Sequence, residues 1–182
     1  MEPKKIVITG GPGSGKTSVV QKLQEEGFTC IHEISRSITL EARSQGIPQL
    51  FLSDPLLFSK RILEGRIAQF KSVSKTDGPY VFFDRGIPDV IAYMDCAGQP
   101  YDNSFTDACK NYTYDQVFLL PPWEEIYTAD NERYEDFREA LLLYGFLKRT
   151  YEKYGYKILE VPIGTITERV TFIVNHLKNN NV

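Results

Sequence analysis

The sequence predicts an α/β protein on a five-stranded parallel sheet, and three observations predict it. Five short runs rich in β-branched and aromatic residues recur, nearly continuous in hydrophobicity rather than alternating, as strands covered on both faces are. Helical stretches separate them, which is the pattern of a parallel sheet. After the first run comes "GGPGSGKTS", residues 10–18, a glycine-rich stretch where a strand hands over to a helix. At 182 residues the chain can bury one good core and shows no composition break, so one domain spanning 1–182 is expected.

In chain order, the strands are "KIVIT" (5–9), "FTCIH" (28–32), "YVFFD" (80–84), "QVFLL" (116–120) and "KILEV" (157–161). Before the third strand, "SDPLLFSKRILEGRIAQFKS" opens a helix with Asp54 as N-cap and Pro55 at the first helical position, where a missing N–H is harmless. "LPPWEEIY" (120–127) stops the fourth strand, and Trp123 is expected to cover the core, with the acceptor as the alternative. Tyr134, Phe137, Leu141, Tyr144, Leu147, Tyr151 and Tyr154 recur every three or four residues and predict a long amphipathic helix over 131–154, its stripe packed on the core. Thr165 and Glu168 have capping-box spacing and start the last helix.

The net charge of −3 suits neither a nucleic acid backbone nor anionic lipid, so we expect no nucleic acid or membrane partner and a small-molecule substrate. No window reaches the eighteen or so apolar residues that cross a bilayer, and "MEPKKIVIT" carries no signal-like apolar stretch; a cytoplasmic location is expected. Cys30, Cys96 and Cys109 are odd in number and widely spaced, without a CxxC, and read as reduced structural residues. His32 and His176 have no metal-ligand partners at useful spacing.

Gly10, Gly15, Lys16 and Thr17 fit GxxxxGK[ST] between a strand and a helix, the context that this phosphate-binding motif requires. Gly10, Gly11, Gly13 and Gly15, with Pro12 among them, let backbone N–H groups turn inward around an anion, and the helix amino end adds partial positive charge. Lys16 is placed for the β- and γ-phosphates and the Thr17 hydroxyl for Mg²⁺; Ser14 and Ser18 complete the loop. ATP with Mg²⁺ is the expected ligand.

What happens to the phosphate is decided elsewhere. "VFFDRG" supplies Asp84 and then Arg85, where a motor ATPase would carry a second, water-activating carboxylate. "DRGI" fails the DxxG of a GTP switch, and "SKTD" (74–77), a loose guanine-reader match, lies before the strand. A phosphotransferase needs an acidic group near the acceptor hydroxyl, arginines for the moving phosphoryl group and a lid. Glu33 and Asp84 close the second and third strands, and carboxyl ends of parallel strands carry function. We assign Asp84 to the metal shell and Glu33 to positioning or deprotonating the acceptor hydroxyl, with a local Glu33–Arg36 pair as the structural alternative. Arg85 is expected at the acceptor or phosphate. "YTADNERYEDFREA" is the expected lid, Arg133 its better phosphate contact and Arg138 the weaker one. "VPIGT" (161–165) makes a turn suited either to structure or to seating a base.

Taken in order, "ITGGPGSGKTS", "HEISR", "FDRGIPDVIAY", "YDQVFLLPPW", "TADNERYEDFREA" and "VPIGTITERV" resemble the NadR-like AAA-labelled P-loop ATPase or kinase family, which includes a nicotinamide riboside kinase domain. The resemblance covers nearly the whole chain. It implies a P-loop NTPase three-layer sandwich with sheet order 2-3-1-4-5, ATP with Mg²⁺, and a nucleoside-type acceptor. The expected activity is an ATP-dependent small-molecule kinase; the alternative is a nucleotide-binding regulatory module with no acceptor.

Overall fold

The computed structural model describes residues 2–126 and 137–179. Five parallel strands, β1 (Lys4–Gly10), β2 (Thr29–Ile31), β3 (Tyr80–Asp84), β4 (Gln116–Leu120) and β5 (Ile158–Glu160), form one sheet in the order β2-β3-β1-β4-β5. Eight helices lie along the described chain: α1 (Lys16–Glu25), α2 (Ser35–Ser44), α3 (Leu50–Ser53), α4 (Pro55–Ser72), α5 (Ile87–Cys96), α6 (Asn103–Asn111), α7 (Phe137–Lys153) and α8 (Ile166–Asn179). Strand number, direction and order are those expected.

The strand period of two divides the core into layers. Ile6 and Ile8 of β1 face Val19, Val20 and Leu23 of α1 and Val170, Ile173 and Leu177 of α8. Val7, Phe83 and Val117 face the other way, toward α4, α5 and α7. The edge strands β2 and β5 are three residues each, shorter than "FTCIH" and "KILEV", and partly exposed rather than covered on both faces. Each has a strand neighbour on one side only, so its ends have less ladder to hold them.

Helix ends follow their caps. The Asp54 carboxylate accepts the Leu57 N–H at 2.9 Å ahead of Pro55, and Thr165 and Glu168 exchange backbone bonds of 2.8 and 3.2 Å. In the described part of the long helix, α7, the expected Leu147 and Tyr151 are buried and Tyr144 and Tyr154 pack against the core, but Ala140 and Leu143 are buried in place of Leu141, which is 49% exposed. Ala140 and Leu143 lie beside the expected row in its first turns, and the two rows merge at Leu147 and Tyr151. Residues 131–136 of the predicted helix lie outside the described residues.

Trp123 departs from its core assignment. It is half-buried beside a 3₁₀ turn (Glu124–Ile126), belongs to none of the core clusters, and donates its indole N–H to Glu125 at 3.3 Å. The prolines that end β4 carry it off the sheet before it can pack there. All three cysteines are free thiols. Among the described residues no helix is long and apolar enough to cross a membrane.

Candidate active site

β1 ends at Gly10, paired with Leu120 of β4, and a Cβ there would lie 2.8 Å from the Leu120 carbonyl oxygen. Only glycine lets the two strands and the loop approach so closely. Gly13 and Gly15 have φ of +71° and +76°, and Gly15 is the N-cap of α1, so the loop curls over the amino end of that helix. The Ser14 hydroxyl is buried inside it and has no hydrogen-bond partner among the described residues. Thr17 and Ser18 are exposed on the first turn of α1.

Lys16 reaches from that turn to Asp84, Nζ against Oδ1, and both residues are more than nine-tenths buried. The β1–β3 register, Ile8 opposite Asp84, puts this carboxylate beside the loop. Burial and the neighbouring Arg85 lower the Lys16 pKa, against the pull of Asp84.

The chain then turns sharply. Arg85 has φ +74°, the one non-glycine residue with positive φ among those described, and its N–H donates to the Ile8 carbonyl at 3.0 Å. That conformation is costly and persists only where the surroundings fix it. Here Arg85 donates to the Gly10 carbonyl at 3.3 Å, pairs with Glu33, lies 3.6 Å from Asp89 and stacks 5.0 Å from the Tyr93 ring centroid. Burial opposes its charge, but Tyr93, Glu33, Asp89 and Asp84 together raise its pKa.

Glu33, just after β2, accepts the N–H groups of Ile34 and Ser35 at 3.0 and 3.1 Å and pairs with Arg66 as well as Arg85. Burial pushes its pKa up, yet Arg66, Arg85 and Lys16 outweigh burial and bring it down to about 2. It is therefore a fixed anion at neutral pH.

Two members of this cluster escaped sequence reasoning. Arg66 of α4, 5% exposed, donates to the Gly86 carbonyl at 2.7 Å and to Glu33. Asp89 of α5 is wholly buried and accepts from Thr9 Oγ1 at 2.5 Å, from Gly86 N–H at 2.8 Å and from the Tyr151 hydroxyl. The signal was present in both: Arg66 stands in phase with apolar Ile62, and Asp89 is the sole charge between Ile87 and Met94. Gly86 is required by packing, since a Cβ there would meet Tyr151 Oη at 2.6 Å and Val7 at 3.0 Å.

A cavity of about 680 Å³ opens from this cluster, bordered by Pro12 of the loop, Glu33, Arg66 and Arg85 at one end and by Phe58 and Tyr93 along its walls. Its size falls within the range of small-molecule sites.

Other expected residues stand apart. Arg133, with residues 127–136 of the proposed lid, lies outside the described residues, and Arg138 is exposed in the first turn of α7. In the 161–165 turn Val161 is anchored to the Leu119 carbonyl at 2.9 Å, while Ile163 is 55% exposed. His32 meets Gln24 at 2.8 Å and His176 packs on Phe118. Among the described residues no group of three or more His, Cys, Asp or Glu is placed to hold a metal ion.

The model of the AAA domain family matches residues 5–169. The chain belongs to this family. That agrees with the resemblance to NadR-like members of the AAA domain family read from the motifs. No curated protein matches the chain in sequence. Solved structures that share the fold of this AAA domain include the following three. A deoxyadenosine kinase from M. mycoides, with the products dCMP and dCDP bound, has a TM-score of 0.70 at 17% identity over 97% of this chain and 99% of that one. Thymidylate kinase from Candida albicans has a TM-score of 0.72 at 19% identity over 99% and 93%. NadR protein in complex with NR has a TM-score of 0.73 at 17% identity; 99% of this chain is covered, but only 52% of that one, so the chain spans about half the length of NadR.

Proposed function

We propose that the chain is an ATP-dependent phosphotransferase that moves the γ-phosphoryl group to a hydroxyl of a nucleoside-like small molecule. The observation that carries this reading is the position of Glu33, an ion-paired carboxylate where an aromatic-walled cavity meets the phosphate loop.

The loop fits a magnesium triphosphate: glycines leave room for the phosphates, the Ser14 hydroxyl lacks a protein partner, and Thr17 and Asp84 offer the hard oxygen donors that Mg²⁺ takes, Asp84 mainly through water. Thr17 and Asp84 would hold Mg²⁺ there, which would supply charge neutralisation to the phosphates. Lys16 exchanges Asp84 for the phosphates. Glu33 holds the acceptor hydroxyl by accepting its hydrogen bond. The hydroxyl oxygen bonds to the γ-phosphorus, the bond to the bridging oxygen breaks, ADP leaves with that bond's electron pair, and the hydroxyl proton passes late in the step through Glu33 to solvent water. Arg85 neutralises charge on the transferring group, and Arg133 and the segment around it are the proposed cover.

The low pKa of Glu33 favours orienting the hydroxyl over removing its proton early. A hydroxyl also suits this end of the cavity better than a second phosphate, because Arg66 is already engaged by Glu33 and the Gly86 carbonyl.

The test is ADP release from MgATP across a panel of ribonucleosides, deoxynucleosides and nicotinamide riboside. At least one acceptor is expected to stimulate release about 10²-fold or more over the ATP-only rate. No stimulation by any of them would favour the regulatory-module alternative.

A further inference from the structure

The lining of the acceptor cavity includes a polar side chain with no hydrogen-bond partner among the described residues. The cavity follows one face of α5 through Val90, Tyr93, Met94 and Ala97 and ends at Gln99. At about 1.5 Å per residue, Asp89 to Ala97 spans about 12 Å. α4 runs antiparallel along the opposite wall: Arg66 bonds the Gly86 carbonyl ahead of α5, whereas Lys60 pairs with Asp102 beyond its end at 3.4 Å. The cavity is thus charged at the phosphate end and apolar and aromatic along α5, and its lining reaches the turn after that helix at Ala97 and Gln99.

That turn is rigid. Gly98 has φ +63°, its N–H donates to the Asp95 carbonyl at 3.1 Å, and the Gln99 N–H donates to the Met94 carbonyl at 2.8 Å. These two bonds are a Schellman cap, in which the residue at the Gln99 position commonly makes an apolar contact back to the helix. A glutamine stands there instead, half-buried and lining the cavity, and its side-chain amide has no hydrogen-bond partner among the described residues. Its backbone is fixed, so only the side-chain rotamers remain to be ordered when a ligand arrives.

We propose that Gln99 is the specificity-determining residue for the acceptor, its amide donating one hydrogen bond and accepting another at the edge of a flat heteroaromatic ring held between the α4 and α5 walls. The inference rests on the acceptor reading above. Phe58 and Tyr93 supply apolar surface for any ring, so they do not choose among rings. An amide offering a donor and an acceptor does choose, because a ring that mismatches leaves one of them buried and unpaired.

The test is calorimetric binding of adenosine, guanosine, cytidine, uridine and nicotinamide riboside to the wild type, Gln99→Leu and Gln99→Glu, with MgATP binding as the control for a folded phosphate site. The wild type is expected to prefer one ring by about tenfold or more. Gln99→Leu should weaken that ring about tenfold and flatten the series. Gln99→Glu, which only accepts, should move the preference toward the amino-bearing rings of adenosine, guanosine and cytidine and away from uridine. A merely structural residue would not reorder the series. An order and spread unchanged in both variants overturns this inference and leaves the kinase reading standing. A wild type that binds MgATP but none of the five compounds removes the inference and the acceptor reading together.

Discussion

Lys16→Ala is expected to lower turnover of MgATP by at least about 10²-fold and to weaken triphosphate binding, since one preorganised cation facing the transferring group is worth about that much. The structure adds a second consequence. Lys16 and Asp84 are paired and buried, so the alanine leaves a carboxylate without its partner, and breaking a buried pair costs about 3–5 kcal/mol of stability. Titration calorimetry and urea unfolding on the same preparation separate the two effects. A folded variant that binds MgATP and turns it over at the wild-type rate would refute the site.

Glu33→Gln should leave MgATP affinity within a few-fold while cutting transfer to the acceptor by about 10²-fold or more. The amide can still accept from the hydroxyl, but it no longer neutralises Arg66 and Arg85, which both turn toward it. Acid titration supplies an independent reading. The folded Glu33 pKa of about 2 lies below the ordinary 4.5, so its contribution to stability is complete above pH 4.5 and is lost as the pH falls from there toward 2. Glu33→Gln should remove that part of the acid limb. The same low pKa means that Glu33 imposes no ionisation on the rate between pH 5 and 8. An equal loss of ATP affinity and of transfer would make Glu33 structural instead.

The five strands, the phosphate loop and two helix caps were legible because each depends on local chemistry: continuous β-branched runs, glycine spacing, and Asp54 or Thr165 one turn from the N–H groups they cap. Glu33 and Asp84 were legible for a topological reason, since parallel strands bring their carboxyl ends to one edge. Arg66 and Asp89 were not, because periodicity treats a charge within an apolar face as noise, and their partners lie 33 and 80 residues away. Leu141 and Trp123 were misplaced because spacing finds a stripe without saying which of two adjacent ridges the neighbouring helix will cover, and hydrophobicity does not register a proline-directed exit from the sheet. Gln99 carries no motif at all; its meaning comes from the Schellman turn that fixes its backbone and the cavity that it lines.

The contact between Lys16 and Asp84 offers the most direct test of the whole account. A crystal structure of the protein with Mg²⁺ and AMP-PNP should show the triphosphate wrapped by residues 10–18, with Lys16 Nζ withdrawn from Asp84 and bonded to β- and γ-phosphate oxygens. A nucleotide bound with the Lys16–Asp84 pair intact, or seated away from the loop, would contradict it.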